Sequence, residues 1–149
     1  MAEIPERLKI NGRAADQHFD PAEKIYRRYA RNDYEIGVVL NIGLSSAPSV
    51  NREKFSHPKD VLLSTTDEYE GLGVLSIAVQ DIPAQLLIEN PSHRFFPQHV
   101  PEENNYAHSE VWCNRIGQVG PHIKPSNLVK KMFRTLLGQR VSVEIQALK

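Results

Sequence analysis

SNLVKKMFRTLLGQRVSVEIQALK, residues 126–149, holds the two clearest structural signals of the chain side by side. In its first half, apolar residues recur at spacings of three and four, and Gly138 follows them. This pattern predicts an amphipathic helix from about Ser126 to Leu137 that ends at the glycine. In its second half, residues Val141 to Ala147 alternate between apolar and polar, which is the period of a half-buried strand. The chain therefore combines helices with strands.

Further elements are predicted on the N-terminal side of this stretch. Asp20-Pro21-Ala22-Glu23 has the residue types of a helix start, an N-cap followed by proline and then by glutamate, and predicts a helix over Pro21–Arg31. The apolar segment Leu72–Val79 predicts a strand that is covered on both faces. Weaker patterns predict a short helix from Ser56 through Leu63 and strands at Ile36–Leu40, Arg94–His99 and Ser109–Arg115.

The order of these elements indicates the fold class. Helices and strands do not alternate regularly, which favours a mixed or mostly antiparallel sheet over a parallel one. We therefore predict an α+β fold in which two or three helices pack on one face of the sheet. A length of 149 residues fits one compact domain over residues 1–149.

Composition and cysteine content indicate the cellular compartment of the protein. The single Cys113 cannot form an internal disulfide, which is typical of a reducing compartment. The first twenty residues are too polar for a secretory signal, and no apolar run reaches the length of a membrane helix. We expect a cytoplasmic protein that does not act at a membrane.

Charge is distributed unevenly, although the net charge is zero. Residues 65–110 carry eight acids and one base, and residues 111–149 carry seven bases and one acid. Such asymmetry marks either an interaction surface or two blocks that neutralise each other within the fold. We do not expect DNA as a partner, because no aromatic residues interleave with the C-terminal bases and the isoelectric point is about 7.0.

The densest polar cluster, residues 101–110, contains a candidate catalytic pair. On a strand, His108 and Glu110 project from the same face about 7 Å apart. Histidine is suited to proton transfer near neutral pH, and a carboxylate can orient it. Asn105, Tyr106 and Trp112 flank the pair as candidate binding residues. The alternative is a polar loop that leads into an edge strand.

Metal chemistry is not predicted. His-x-Glu also occurs in zinc deaminases, but those enzymes need a downstream pair of cysteines, and this chain has one cysteine. The spacings between His93, His99, His108 and His122 match no zinc signature. We predict no metal and no cofactor.

A second cluster supplies candidate anion-binding groups. Asn51 and Arg52 follow a turn of small residues, and arginine offers a planar fork of donors to an anion. Arg27 and its neighbour Arg28, on the predicted first helix, could supply further cations. An early arginine, a polar loop and a later His/Glu strand resemble the general plan of nucleotide-handling folds, such as small ADP-ribosyltransferases and RNases. The alternative role for each arginine is a salt bridge within the fold.

Two functions follow as hypotheses. The first is a small binding or regulatory module that acts through a partner protein or as a homo-oligomer, using the loop at residues 102–110 and the aromatic residues Phe95, Phe96 and Trp112. The second is an enzyme acting on a nucleotide or an RNA phosphodiester, with His108 and Glu110 as the acid–base pair and with arginines as anion clamps. Convergence of His108, Glu110 and Arg52 in one cleft would favour the enzyme.

Overall fold

The computed structural model describes residues 3–31, 47–64, 66–82, 93–118 and 120–149, and its described part is built around one antiparallel sheet. The sheet has six strands in the order β4-β5-β2-β1-β3-β6, and all of its neighbouring strands run antiparallel. The strands and the α-helix are β1 (Lys24–Tyr29), β2 (Ser49–Arg52), β3 (Gly73–Ala78), β4 (His93–His99), β5 (His108–Arg115), α1 (Asn127–Gly138) and β6 (Ser142–Ile145).

This architecture corrects the predicted fold class. The α+β fold with two or three helices on one face is wrong, because the described residues form mostly sheet with α1 and several short 3-10 turns. The helix predicted near residues 126–137 is confirmed, and so are the strands predicted near residues 72–79, 94–99, 109–115 and 141–147. The short helix predicted from Ser56 through Leu63 is a 3-10 turn over Pro58–Leu62. The strand predicted at Ile36–Leu40 lies outside the described residues.

The prediction of a helix at Pro21–Arg31 is wrong, because this segment supplies strand β1. Asp20 does cap a turn, since its carboxylate accepts a hydrogen bond from the Ala22 amide at 2.8 Å. The chain then extends, and β1 pairs with β2 on one side and with β3 on the other. Ile25 and the tyrosines of this segment favour strands, and pairing on both edges outweighs the local capping signal.

Helix α1 covers one face of the sheet, which we call the core face. Ser126 caps the helix by accepting a hydrogen bond from the Val129 amide at 3.3 Å. Val129 and Phe133 are fully buried, and the Phe133 ring stacks on Phe95 of β4 with centroids 3.8 Å apart. Further core-face side chains come from the central strands: Ile25, Val50, Leu75 and Val111.

Among the described residues, the opposite face, which we call the cleft face, is covered only in part. Tyr26, Val61 and Val74 form a small apolar cluster where the 3-10 turn Pro58–Leu62 crosses this face. Because side chains alternate along a strand, the residues on either side of each core-face position point to the cleft face. One row across three strands consists of Tyr26, Asn51 and His108, which are paired in register.

The N-terminal segment is fixed to the sheet without being a strand. The side-chain amide of Gln17 donates to the His99 carbonyl at 2.8 Å and accepts from the His99 amide at 2.9 Å. The Tyr106 hydroxyl donates to the Ala14 carbonyl at 2.7 Å. These contacts hold residues 14–17 against the start of β5 and the end of β4.

Close packing between β3 and β6 depends on Gly73. A Cβ atom at this position would lie 2.4 Å from the Tyr29 ring and 2.5 Å from the Ile145 carbonyl oxygen. The absent side chain lets the Tyr29 hydroxyl reach past β3, where it accepts a hydrogen bond from the Ala147 amide at 3.1 Å. Because Gly73 has no side chain, the end of β6 can pack closely against the central strands.

Candidate functional site

A cleft of about 550 Å³ opens on the cleft face above strands β1, β2 and β5. Its size is in the range of pockets that hold small ligands. Four of the residues predicted from the sequence line it: Arg27, Asn51, Asn105 and His108. Polar and aromatic residues of the surrounding walls include Tyr26, Arg28, Ser49, Asp60, Tyr69 and Glu102.

His108 stands at the start of β5 with both ring nitrogens in contact with neighbouring groups. Its Nδ1 lies 2.8 Å from the Val100 carbonyl oxygen, which can only accept a hydrogen bond, so Nδ1 carries a proton. Its Nε2 lies 3.2 Å from the Ser49 hydroxyl oxygen. The Glu102 carboxylate lies 3.7 Å from Nε2 at the exposed rim. His108 is therefore held in place by three contacts around one side of the cleft.

Two asparagines form a coupled pair beside His108. Asn51 of β2 is 3% exposed, and its Oδ1 accepts a hydrogen bond from Nδ2 of Asn105 at 2.7 Å. The other polar atom of each amide, Nδ2 of Asn51 and Oδ1 of Asn105, is buried without a hydrogen-bond partner. Unpaired buried polar atoms are uncommon in folded proteins, because each costs about 1–3 kcal/mol.

Arg28 supplies a positive charge to the opposite side of the cleft. Its guanidinium stacks over the Tyr69 ring at 3.9 Å and donates through Nη1 to the Val61 carbonyl at 3.1 Å. It forms no ion pair within the part of the chain that the structure describes. Asp60, which also lines the cleft, is already paired with Arg7 at 2.6 Å.

Arg52 is placed in the interior instead of in the cleft. Its side chain is fully buried, and it forms two hydrogen bonds to the Glu23 carboxylate at 2.9 and 3.0 Å. It also donates to the carbonyls of Asp16 and His18, and it stacks on the Phe19 ring at 3.8 Å. These contacts occupy the guanidinium with partners from within the fold.

The remaining predicted residues are distributed around the cleft. Glu110 lies on the same sheet face as His108 and accepts a hydrogen bond from the Trp112 indole at 2.9 Å. Tyr106 is buried, and its ring packs under Arg13. Arg27 borders the cleft at its place in β1, but its side chain alternates with that of Arg28 toward the core face, and its guanidinium donates to the Ser49 carbonyl at 2.7 Å. The cleft thus brings His108 together with the asparagines but not with Glu110 or Arg52.

The aromatic residues predicted as a partner surface are divided between the two faces. Phe95 belongs to the core, where it stacks on α1. Phe96 and Trp112 are half-buried on the cleft face of β4 and β5, with ring centroids 6.3 Å apart in an edge-to-face arrangement. Two of the three predicted aromatics therefore share one accessible surface.

His99, behind the cleft, is held in the neutral form. Its Nδ1 accepts a hydrogen bond from the Asp16 amide at 2.8 Å, so the proton is on Nε2, which donates to the Tyr106 carbonyl at 2.6 Å. Burial, together with the nearby charge of Arg52, lowers the pKa of His99. A second ring proton would have to displace the Asp16 contact.

We expect His99 to make the fold less stable in mild acid. Below about pH 6.5 the unfolded chain binds a proton at this histidine that the folded chain resists, so the free energy of unfolding falls as the pH falls. His99→Gln should remove this part of the pH dependence. Urea unfolding of both proteins between pH 5 and pH 8 measures the difference, and parallel curves would contradict the assignment.

Cys113 is enclosed in the core of the described residues. The thiol is fully buried, and burial raises its pKa to about 11. Within residues 3–31, 47–64, 66–82, 93–118 and 120–149, no three histidine, cysteine or acidic side chains are grouped so that they could share a metal ion. No helix in these ranges has the length and apolar character needed to cross a lipid bilayer.

The sequence indicated Arg28 only as a further cation next to Arg27 on a predicted helix, and it gave no sign of Tyr69. The alternation of strand β1 puts Arg27 and Arg28 on opposite faces. Residues 24–29 show no alternation of apolar and polar types, so the sequence alone does not separate these two arginines. Tyr69 belongs to a turn with no distinctive pattern, and its role depends on its contact with Arg28.

Comparison with known proteins adds no relative to this description: no family model, no curated protein and no solved structure matches the chain.

Proposed function

We propose that this chain is a binding module whose cleft takes a small ligand carrying a negative charge. The observation that carries the proposal is Arg28, a cation fixed on the cleft wall that has no carboxylate partner among the described residues. Arginine presents up to five donors, and one of its nitrogens is used by the Val61 carbonyl. The remaining donors are available to a phosphate or carboxylate.

The charges around Arg28 support an anionic ligand. Asp60 is neutralised by Arg7 and also accepts a hydrogen bond from the His57 amide at 2.8 Å. Glu102 also lines the cleft, where it is exposed at the rim beside His108, and His108 begins strand β5, two strands away from β1 and Arg28. An anion at Arg28 would therefore meet a positive charge without a carboxylate partner among the described residues, whereas the unneutralised carboxylate of the cleft, Glu102, is at the rim on the side of β5.

The arrangement gives less support to the phosphodiesterase hypothesis. A catalytic trio would need His108, Glu110 and Arg52 around one substrate atom. Arg52 is enclosed on the core side, and Glu110 is occupied by the Trp112 indole. We therefore favour binding over catalysis for this cleft.

We propose partner-protein binding as the second function, and the specific observation in its favour is the accessible pair of Phe96 and Trp112. They lie on the same sheet face as the cleft, next to Glu110. Aromatic residues of this kind are enriched at protein interfaces. A cytoplasmic location is part of the proposal, since Cys113 is unpaired.

We expect Arg28→Gln to weaken the binding of small phosphorylated ligands about tenfold to a hundredfold, because a charge-assisted hydrogen bond contributes about 1.5–3 kcal/mol. Inorganic phosphate, ribose 5-phosphate and nucleoside monophosphates would be titrated into the isotopically labelled protein and followed by amide chemical shifts. Arg115→Gln is the matched control, because Arg115 is exposed at the end of β5 and does not line the cleft.

The proposal fails if none of these compounds shifts the amides of the cleft, or if Arg28→Gln binds them as well as the parent protein does. In the same spectra, the resonances of Phe96 and Trp112 report on the second function. If these resonances shift with protein concentration alone, and no ligand shifts the amide resonances of the cleft residues, we would conclude that the protein self-associates through the surface of Phe96 and Trp112.

A further inference from the structure

The surface around Phe96 and Trp112 carries opposite charges at its two ends. The two aromatic residues are directly opposite each other on β4 and β5, and both point to the cleft face. Arg94 lies two residues before Phe96 on β4, and Glu110 lies two residues before Trp112 on β5. Because the strands are antiparallel, Arg94 and Glu110 are displaced in opposite directions from the aromatic pair. We call these four side chains the β4–β5 surface.

Both charges are without an ion pair in the part of the chain that the structure describes. The Arg94 guanidinium lies over the Phe96 ring, 4.6 Å from its centroid. One carboxylate oxygen of Glu110, Oε1, accepts the hydrogen bond from the Trp112 indole, so Oε2 is left for a second donor. Strand geometry separates the Cα atoms of Arg94 and Glu110 by roughly 14 Å, which keeps the two charges apart within one chain.

The ends of the two strands extend this charge pattern. The turn from β4 to β5 carries the exposed Glu102 and Glu103 at the end where Glu110 lies. At the other end, near Arg94, the last residue of β5 is the exposed Arg115. One end of the hairpin is therefore acidic and the other end is basic. Two copies laid against each other in opposite directions bring unlike charges together at both ends.

We infer that the β4–β5 surface binds a second copy of this chain in a symmetric dimer. A two-fold axis between the facing surfaces makes each surface contact itself. When the axis crosses the line from Arg94 to Glu110 at its midpoint and at a right angle, Arg94 of one copy meets Glu110 of the other, and the contact is repeated at the opposite end. Phe96 and Trp112 lie near this midpoint and form the centre of the contact. The inference rests on the second proposed function, because it names the partner of that surface.

The residue types of the surface suit such a contact. Tryptophan and arginine are enriched among the residues that contribute most to binding at protein interfaces, above all near the centre, where neighbouring groups exclude water. Here the aromatic pair is central and the charged residues flank it. The charges also fix the relative direction of the two copies, because the reverse arrangement would place Arg94 on Arg94 and Glu110 on Glu110.

Trp112 is the single tryptophan of the chain, so its fluorescence reports on this surface without a label. Sedimentation equilibrium of the intact chain is expected to show a monomer–dimer equilibrium that added salt weakens. Dilution through the same concentration range should shift the Trp112 emission to longer wavelength, because dissociation exposes the indole to water. A dimer that dissociates without any change in this emission would overturn the inference.

Charge reversals test the paired contact directly. Arg94→Glu and Glu110→Arg are each expected to weaken the dimer about tenfold or more, because each brings like charges together at both ends. The double variant, which carries both reversals, should recover most of this loss, since the pairs form again with their charges exchanged. Lys131→Glu is the matched control, because Lys131 is exposed on α1, which covers the other face of the sheet. This control should dimerise as the parent protein does.

The outcomes separate this inference from the function on which it rests. If the parent protein is a monomer at every concentration, the second copy is rejected, and the second proposed function stands with a different protein as the partner. If a dimer forms and neither the charge reversals nor Trp112→Ala weaken it, the contact lies elsewhere and both are rejected. If Trp112→Ala weakens the dimer but the double reversal recovers nothing, the Arg94–Glu110 contact is overturned and the aromatic surface stands. The fluorescence measurement needs only the parent protein, so it decides the matter even if a variant fails to fold.

Discussion

Replacing Arg52 by alanine is expected to lower the free energy of unfolding by about 3–5 kcal/mol, because it leaves the buried Glu23 carboxylate without its partner. The substitution also removes the donors to the Asp16 and His18 carbonyls, which hold the N-terminal segment. Since small domains have total stabilities of about 5–15 kcal/mol, the variant should be close to unfolding. Urea or thermal unfolding followed by circular dichroism measures the loss.

Lys54→Ala is the matched control for this experiment. Lys54 also forms an ion pair with the N-terminal segment, at 2.8 Å from Asp16, but its side chain is 47% exposed. Solvent screens such pairs, so the control should be much less destabilised than Arg52→Ala. If Arg52→Ala is as stable as the parent and instead loses affinity for phosphorylated ligands, then Arg52 is an anion-binding residue after all.

Phe133→Ala is expected to lower the free energy of unfolding by about 3–5 kcal/mol, because it leaves a cavity between the helix and the sheet. The Phe133 ring is fully buried and stacks on Phe95 with centroids 3.8 Å apart. The neighbouring Met132 is 40% exposed on the same helix, so Met132→Ala provides a control with the same helical context. Equal losses from the two substitutions, measured by urea unfolding, would show that the helix does not pack on the sheet through this ring.

Some of the elements that make these contacts could be predicted from the sequence, and others could not. Helix α1 and strands β3 and β6 could be predicted, because their apolar periods are long and their ends are marked by residues such as Gly138. Strand β2 could not be predicted, since it has four residues and buries Asn51 and Arg52, which carry no apolar pattern. The N-terminal capping signal at Asp20 was real, but it belongs to a turn before β1.

The sequence likewise indicated some residues of the candidate site but not the position of others. The polar types of Asn51, Asn105 and His108 suggested ligand contacts from the sequence, and the structure places all three in one cleft. The burial of Arg52 could not be foreseen, because its partner Glu23 lies 29 residues away and was assigned to a helix. Long-range pairing decides which polar residues face a ligand, and local pattern does not contain that information.

Helix α1 comes after five of the six strands in chain order, and this has a consequence for synthesis on the ribosome. The apolar face formed by Val50, Leu75 and Val111 is complete once β5 has emerged, but helix α1, which packs on this face, has not yet been made. At typical translation rates, the residues between the end of β5 and the end of α1 take roughly 1–5 seconds to add. For that time the nascent sheet lacks the cover that α1 provides, and exposed apolar surface of this kind is bound by chaperones and drives aggregation.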